Sequence, residues 1–398
     1  MKDDSEQPTP EEVRTMSKVK PSMALFLHNL FSTISKAWLC ACVPNHQAAL
    51  LLFSNRTFPT VDSPATFTVL LSRGVLPSST KRWKEAAITV TDPSDVTITK
   101  PRPRVRINSP SPTVNVESST PINDLCSIIK KSKNRLNLNV SGLSLSNRAE
   151  TQCQLLDYEY CEPISFTAGI LENDVPFNYD AKLCLALVLS CAFLDFCDGP
   201  WFADGWTKSN LYFMQRGDRL LLQPFLVTNM AGRRTKQDPH STPTTSTRAK
   251  KLLQHGILLM EIFQQDSFQN FIGEDGKVQS LKDLAYNWFR SIDWDVCERL
   301  VQIVETCIQG ELVDLCSHPN EISDEEFIRL FCEKILAPLQ ADFALFHQKE
   351  DPDQVISRLS LPGVELKAPA LFIAKSTELK VYIPLENMMN PADCYAPG

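Results

Sequence analysis

The first ordered pattern of apolar residues lies near the start of the chain. Met23, Phe26, Leu27, Leu30, Phe31, Ile34 and Trp38 recur at helical spacing, with His28, Ser32, Ser35 and Lys36 on the opposite face. This period predicts an amphipathic helix at 23–38, within a segment 21–45. One such helix cannot bury its stripe alone, so it must dock on the rest of the chain or on a partner. Residues 1–20 are charged, carry Pro8 and Pro10, and are expected to be disordered.

The period then changes to that of strands. Ala48 to Phe53 is a short apolar run, and Phe67, Val69 and Leu71 alternate with Thr66, Thr68 and Leu70. Ala87–Thr91 and Val96–Thr99 are β-branched runs around an Asp-Pro-Ser break. Residues 100–121 hold five prolines among serines and threonines and read as a loop. From about Ile122 helix dominates the pattern. Leu183, Ala186, Leu187, Ser190 and Leu194 mark a helix apolar nearly all round. Leu252–Phe263 marks a second and Val296–Cys307 an amphipathic third. Ser323 and Glu326 form a capping box that opens a fourth, which bends or stops near Pro338. Ala231–Lys250 is polar and reads as a surface loop, and no element stands out after Asp351. The expected fold is α+β. A small β-rich N-terminal lobe covers 46–170, a larger mostly helical lobe 171–348, and an irregular tail 349–398.

Composition narrows the function. The chain has 398 residues, 43% of them hydrophobic, which is enough for a substantial core. A net charge of −7 gives no overall pull towards nucleic acid. Lys100, Arg102, Arg104 and Arg106 make one basic loop, but no aromatic residue is interleaved for base stacking. The acidic start lacks the apolar core of a secretory signal. The longest apolar run, Leu183–Leu194, is twelve residues against the roughly 20 of a membrane-spanning helix. A soluble intracellular, cytoplasmic protein is therefore expected.

The thirteen cysteines are scattered, with Cys40-Ala41-Cys42 the closest pair. No Cys-x-x-Cys occurs, and several cysteines sit inside apolar helical patterns, so reduced thiols and no metal site are expected. His240, His255 and His318 are far apart and have no ligand-like neighbours.

The segment Leu183–Phe225 carries a resemblance. A buried helix is followed by Cys197-Asp198-Gly199-Pro200-Trp201, then by Gly205-Trp206-Thr207-Lys208-Ser209-Asn210-Leu211-Tyr212-Phe213. The turn Gln215-Arg216-Gly217-Asp218 then leads into Leu220-Leu221-Leu222-Gln223-Pro224-Phe225. This order resembles the helical lobe of a protein kinase, with its catalytic loop, hairpin and metal-binding triplet. Asn210 matches the loop asparagine. The catalytic aspartate then falls on Gly205, the phosphate-contacting lysine on Thr207, and the triplet on Pro224-Phe225-Leu226. His255–Phe263, with Gly256 and Glu261, is similar to the central helix of that lobe.

More narrowly, Gly199-Pro200-Trp201, Trp206, Asn210–Phe213, Gly256–Glu261 and Trp38-x-Cys40-x-Cys42 resemble an uncharacterised fungal family. That family is described only as a domain of unknown function and often sits behind a HeLo-type, prion-inhibition-like helical domain. The resemblance covers roughly 23–345. It implies a degenerate kinase fold in a signalling or non-self-recognition setting.

The resemblance implies no kinase chemistry, because both carboxylate positions are lost. No Gly-x-Gly covers a triphosphate, and no Val-Ala-Ile-Lys-like stretch is present. Asn210 is expected to bond the loop backbone, although it is also the one candidate nucleotide contact. Trp201 and Trp206 are expected to fill the vacated centre, and Glu261 to pair with an arginine. The leading expectation is a non-catalytic interaction or scaffold module with a protein partner, no cofactor and no small-molecule ligand. The alternatives are a divergent phosphotransferase or nucleotide-binding enzyme using Asp198 or Asp204, and a nucleic-acid binder using the basic loops. The Thr/Ser-rich stretch 235–247 is a candidate for phosphorylation and for folding onto Arg233 and Arg234.

Overall fold

A computed structural model describes residues 20–38, 40, 42, 46–52, 64–72, 83–91, 121–132, 134–147, 158, 161–173, 177–202, 205–206, 208–230, 245–272, 280–294, 296–310, 312, 324–347 and 350–364. The strand read at 96–99, the loop at 100–120, Asp204, Thr207 and most of 231–250 lie outside these.

The N-terminal stripe forms helix α1 (Lys20–Ala37), and Phe26, Leu27, Leu30, Phe31 and Ile34 are all buried. The stripe docks on the chain's own sheet and on the long central helix. β1 (Gln47–Leu51), β2 (Ala65–Ser72) and β3 (Trp83–Val90) form an antiparallel meander. The chain then crosses through α2 (Leu125–Lys131) to β4 (Leu136–Ser141), which pairs with β3 in parallel. β5 (Ser144–Asn147) closes a hairpin on β4 over Gly142, whose φ of 57° suits a residue without a Cβ. Strands β4 and β5 fall inside the β-rich lobe expected over 46–170, although no individual strand was read there and the pattern after Ile122 looked mostly helical. Their polar residues alternate with buried Leu136, Leu138, Val140 and Leu145 on one face only.

The sheet does not stop at this lobe. β6 (Glu162–Ser165), β7 (Leu211–Arg216) and β8 (Arg219–Asn229) follow, and β8 pairs antiparallel with β1. The order β5-β4-β3-β2-β1-β8-β7-β6 is one continuous sheet, with β9 (Ser360–Pro362) added beside β8. Ala48, Leu50, Val69, Leu71, Ala86, Ile88 and Val90 point from it into the main core. Ala49, Leu70, Trp83, Met214, Phe225 and Val227 point the other way and pack with Tyr158 and Cys161.

Under the main face lies the helical half. α3 (Tyr179–Phe196) buries residues on every side, which its unbroken apolar sequence requires. Asn178 caps it by accepting from the Ala181 N–H at 2.9 Å. Around it pack α4 (Thr245–Gln264), α9 (Ala337–His347) and α10 (Pro352–Arg358), and α7 (Glu298–Gln309) packs on α4 and α9. α5 (Phe268–Phe271) and α6 (Leu281–Ser291) complete the outer layer. α8 (Asp324–Phe331) runs into α9 through a wider π turn, Cys332–Leu336. That turn absorbs the missing Pro338 N–H, so the bend expected there is a re-wound helix rather than a stop. Within the tail read as irregular, the described residues 350–364 form α10 and β9. Val355 and Ile356 are buried, and Leu220↔Leu361 lies in the ladder with β8.

Candidate functional site

The stretch Trp201–Asn210 and the face of α4 beneath it hold the residues singled out from the sequence. Trp201 is buried, donates its indole N–H to the Leu27 carbonyl at 2.9 Å, and meets Phe31 edge-on at 5.4 Å. It is therefore the latch for α1. Trp206 turns inward. Its indole N–H donates to His255 Nδ1 at 3.1 Å, and its ring lies edge-on to Phe202 at 4.6 Å. An indole nitrogen can only donate, so His255 Nδ1 accepts and Nε2 carries the proton, facing Ser190 Oγ at 2.9 Å. The His255 ring stacks on Phe193, which in turn stacks on Phe331. His255 has no exposed surface, and burial pushes its imidazole down to about 3.

Gly205 occupies the position expected for a catalytic aspartate. Its φ is 71°, in the left-handed region that favours glycine, and a Cβ there would lie 2.0 Å from Gln254 Oε1, so a side chain would strain the backbone and push Gln254 aside. Its carbonyl accepts from Asn210 Nδ2 at 3.0 Å, the loop-bonding role expected of that asparagine. The triplet position lies inside the sheet. The Pro224 carbonyl accepts from the Leu52 N–H at 3.0 Å, Phe225 pairs with Leu51, and Leu226 pairs with Leu50. Phe225 is fully buried against Tyr158, at 5.1 Å between ring centres. The strand that would border an open cleft is thus zipped to β1.

The remaining charged groups hold the frame. Glu261 is buried and pairs with Lys208 at 2.6 Å rather than with an arginine. It also accepts from the Phe268 N–H at 2.9 Å. Burial raises its carboxyl, and Lys208 works against that rise. Asp198 is engaged by both arms of Arg248, at 2.7 and 3.2 Å. The guanidinium also lies 5.2 Å over Phe327. Gly256 is where α4 meets α7; an added Cβ would lie 2.8 Å from Cys307 Cβ.

A second constellation was not expected. Between α1 and β1 the chain carries Cys40, Cys42 and His46, and Cys126 approaches from the first turn of α2. One ligand atom from each lies within 4.8 Å of the other three. Cys42 and Cys126 Sγ are 3.7 Å apart. Lys130 Nζ lies 3.8 Å from Cys42 Sγ. His46 is buried, stacks on Trp38 at 4.7 Å, and sets Nδ1 3.3 Å from the Ser72 carbonyl. A carbonyl only accepts, so Nδ1 carries the proton. Nε2 is left buried without a hydrogen-bond partner, a state that costs about 1–3 kcal/mol. Burial, with Cys42 and Cys40 beside it, pushes the Cys126 thiol up to about 11. Hydrogen bonds from Cys40 and Cys126 draw the Cys42 thiol down.

A family model described as a domain of unknown function, DUF7580, matches residues 17–346. The chain belongs to the DUF7580 family. No curated protein and no solved structure matches it. The DUF7580 match ends before α10 and β9, which nonetheless pack on the matched region through β8 and α3. Among the described residues of this DUF7580 chain, no helix is long and apolar enough to cross a membrane.

Several residues at the centre of this DUF7580 chain were not read as functional or were read apart. His255 is the hub of the Trp206–Ser190 chain, yet its sequence shows only a histidine in an apolar helix. The Cys40, Cys42, His46 and Cys126 cluster was not read from the sequence, where no metal site was expected. Cys40-x-Cys42-x-x-x-His46 was visible, but the fourth member lies 84 residues beyond Cys42 and only the tertiary fold brings it in. Asp204 and the stretch 231–244, both part of the alternative readings, lie outside the described residues.

Proposed function

We propose that this protein is a non-catalytic, kinase-like module that acts by binding other proteins. The observation that carries this reading is the β1–β8 ladder through Leu50↔Leu226 and Leu51↔Phe225. Phosphoryl transfer needs carboxylates that hold divalent ions at the triphosphate. At the corresponding positions this chain offers a proline and a buried phenylalanine in a paired strand, and a glycine held at a left-handed φ of 71°. Asp198 is held by Arg248. Beside Gly205, Trp206 packs on His255 and His255 on Phe193, so a neutral buried cluster stands there. The sequence resemblance supports a fungal signalling or non-self-recognition setting for such a module.

Thermal unfolding with and without millimolar magnesium-ATP tests this. A ligand at 100 times its Kd adds about 2.7 kcal/mol to the folded state and raises the midpoint by several degrees. An unchanged midpoint is expected. A rise that depends on magnesium would show that nucleotide binds and undermine the nucleotide-free reading, and ATP turnover above background would then overturn the non-catalytic one.

A further inference from the structure

We propose that Cys40, Cys42, Cys126 and Nε2 of His46 form a structural zinc site. The argument does not depend on the kinase-like reading. Zinc held at about 2.3 Å from sulfur in a tetrahedron sets neighbouring sulfurs about 3.8 Å apart. Cys42 and Cys126 stand at 3.7 Å, and no ligand pair in the group exceeds 4.8 Å. One ion therefore lies within reach of all four after small side-chain rotations. His46 has the arrangement of a metal-bound imidazole. Its Nδ1–H is committed to the Ser72 carbonyl, its ring plane is fixed by Trp38, and its free Nε2 is buried with no other partner.

The donor set selects the ion. Three thiolates and one imidazole suit zinc and not the oxygen-seeking magnesium or calcium. Four protein donors leave no open position, so the site is structural rather than catalytic. Loading sends the thiol protons to solvent and leaves three thiolates against a divalent cation. Lys130, 3.8 Å from Cys42 Sγ, offsets the remaining negative charge. The ion would tie the end of α1, the start of β1 and the first turn of α2 into one clasp.

The test uses the full chain, purified under reducing conditions without chelators, with bound metal counted by mass spectrometry. About one zinc per chain is expected, as is a thiolate-to-cobalt charge-transfer band when the zinc-free protein is titrated with cobalt(II). Cys42→Ala and His46→Ala should lose the zinc, and Cys191→Ala, a cysteine outside the cluster, should keep it. Should the cluster variants fail to fold, the wild type still reports. A thiol-specific mercurial should release its zinc to a chromogenic chelator. Wild-type protein that takes up neither zinc nor cobalt would overturn the proposal. So would zinc that persists in folded Cys42→Ala and His46→Ala.

Discussion

The buried imidazole of His255 makes stability depend on pH in a calculable way. Burial pushes its pKa in the folded state down to about 3, against 6.5 for a free histidine. Between these values the unfolded chain binds a proton that the folded chain refuses. Stability from this group is therefore fully present above about pH 6.5 and is lost as the pH falls towards 3. At about 1.4 kcal/mol per unit the full window is worth roughly 5 kcal/mol, and the drop from pH 7 to pH 5 costs about 2 kcal/mol. The informative variant is His255→Gln. Its amide can accept from Trp206 and donate to Ser190 without titrating. Urea unfolding at pH 7 and pH 5 should show the wild type losing about 2 kcal/mol more than the variant. Carboxylates and His46 are common to both proteins and cancel in the difference. Equal losses would mean that the imidazole is not held neutral in the folded core, and the Trp206–His255–Ser190 chain would have to be redrawn.

Other substitutions test the same frame. Gly205→Asp puts a carboxylate at the position the sequence resemblance assigns to a catalytic aspartate, but φ of 71° and the contact with Gln254 should cost about 1–3 kcal/mol of stability in denaturant unfolding, with no ATP turnover gained. Gly256→Val places methyl groups against Cys307 and Ile308 and should cost about 1–3 kcal/mol or more by the same assay. Lys208→Met leaves Glu261 buried without its cation. Because Lys208 is 32% exposed, the loss should fall at or below the low end of the roughly 3–5 kcal/mol range for a broken buried pair. Trp201→Phe removes the donor to the Leu27 carbonyl and should speed proteolysis of α1 before the rest of the chain unfolds.

The elements most legible in the sequence were those whose apolar period is long. α1, α3 and α7 stand within a few residues of their expected spans, because Leu30, Leu187 and Ile303 each belong to a stripe several turns long, whereas α4 starts at Thr245, seven residues before its expected start and inside the stretch read as a loop. Their buried neighbours left little choice. The short pieces were hidden. α2 has only Leu125, Cys126 and Ile129 to bury, and β9 has Leu361. Such runs acquire meaning only from the partner they meet. The same holds for the site. Asn210 and Glu261 kept the structural roles read for them, but the partner of Glu261 is a lysine, which no local pattern announces. The β1–β8 pairing was not readable because β8 is as apolar as a strand bordering a cleft would be. Only the register with Gln47–Leu51 distinguishes the two.

Amide hydrogen exchange along that ladder tests the central claim most directly. The backbone amides of residues 47–51 and 225–229 that bond across it should exchange as slowly as those of α3, with no change on adding magnesium-ATP. Rapid exchange confined to these two strands, or protection that appears only with the nucleotide, would mean that a cleft opens where this account has a closed sheet.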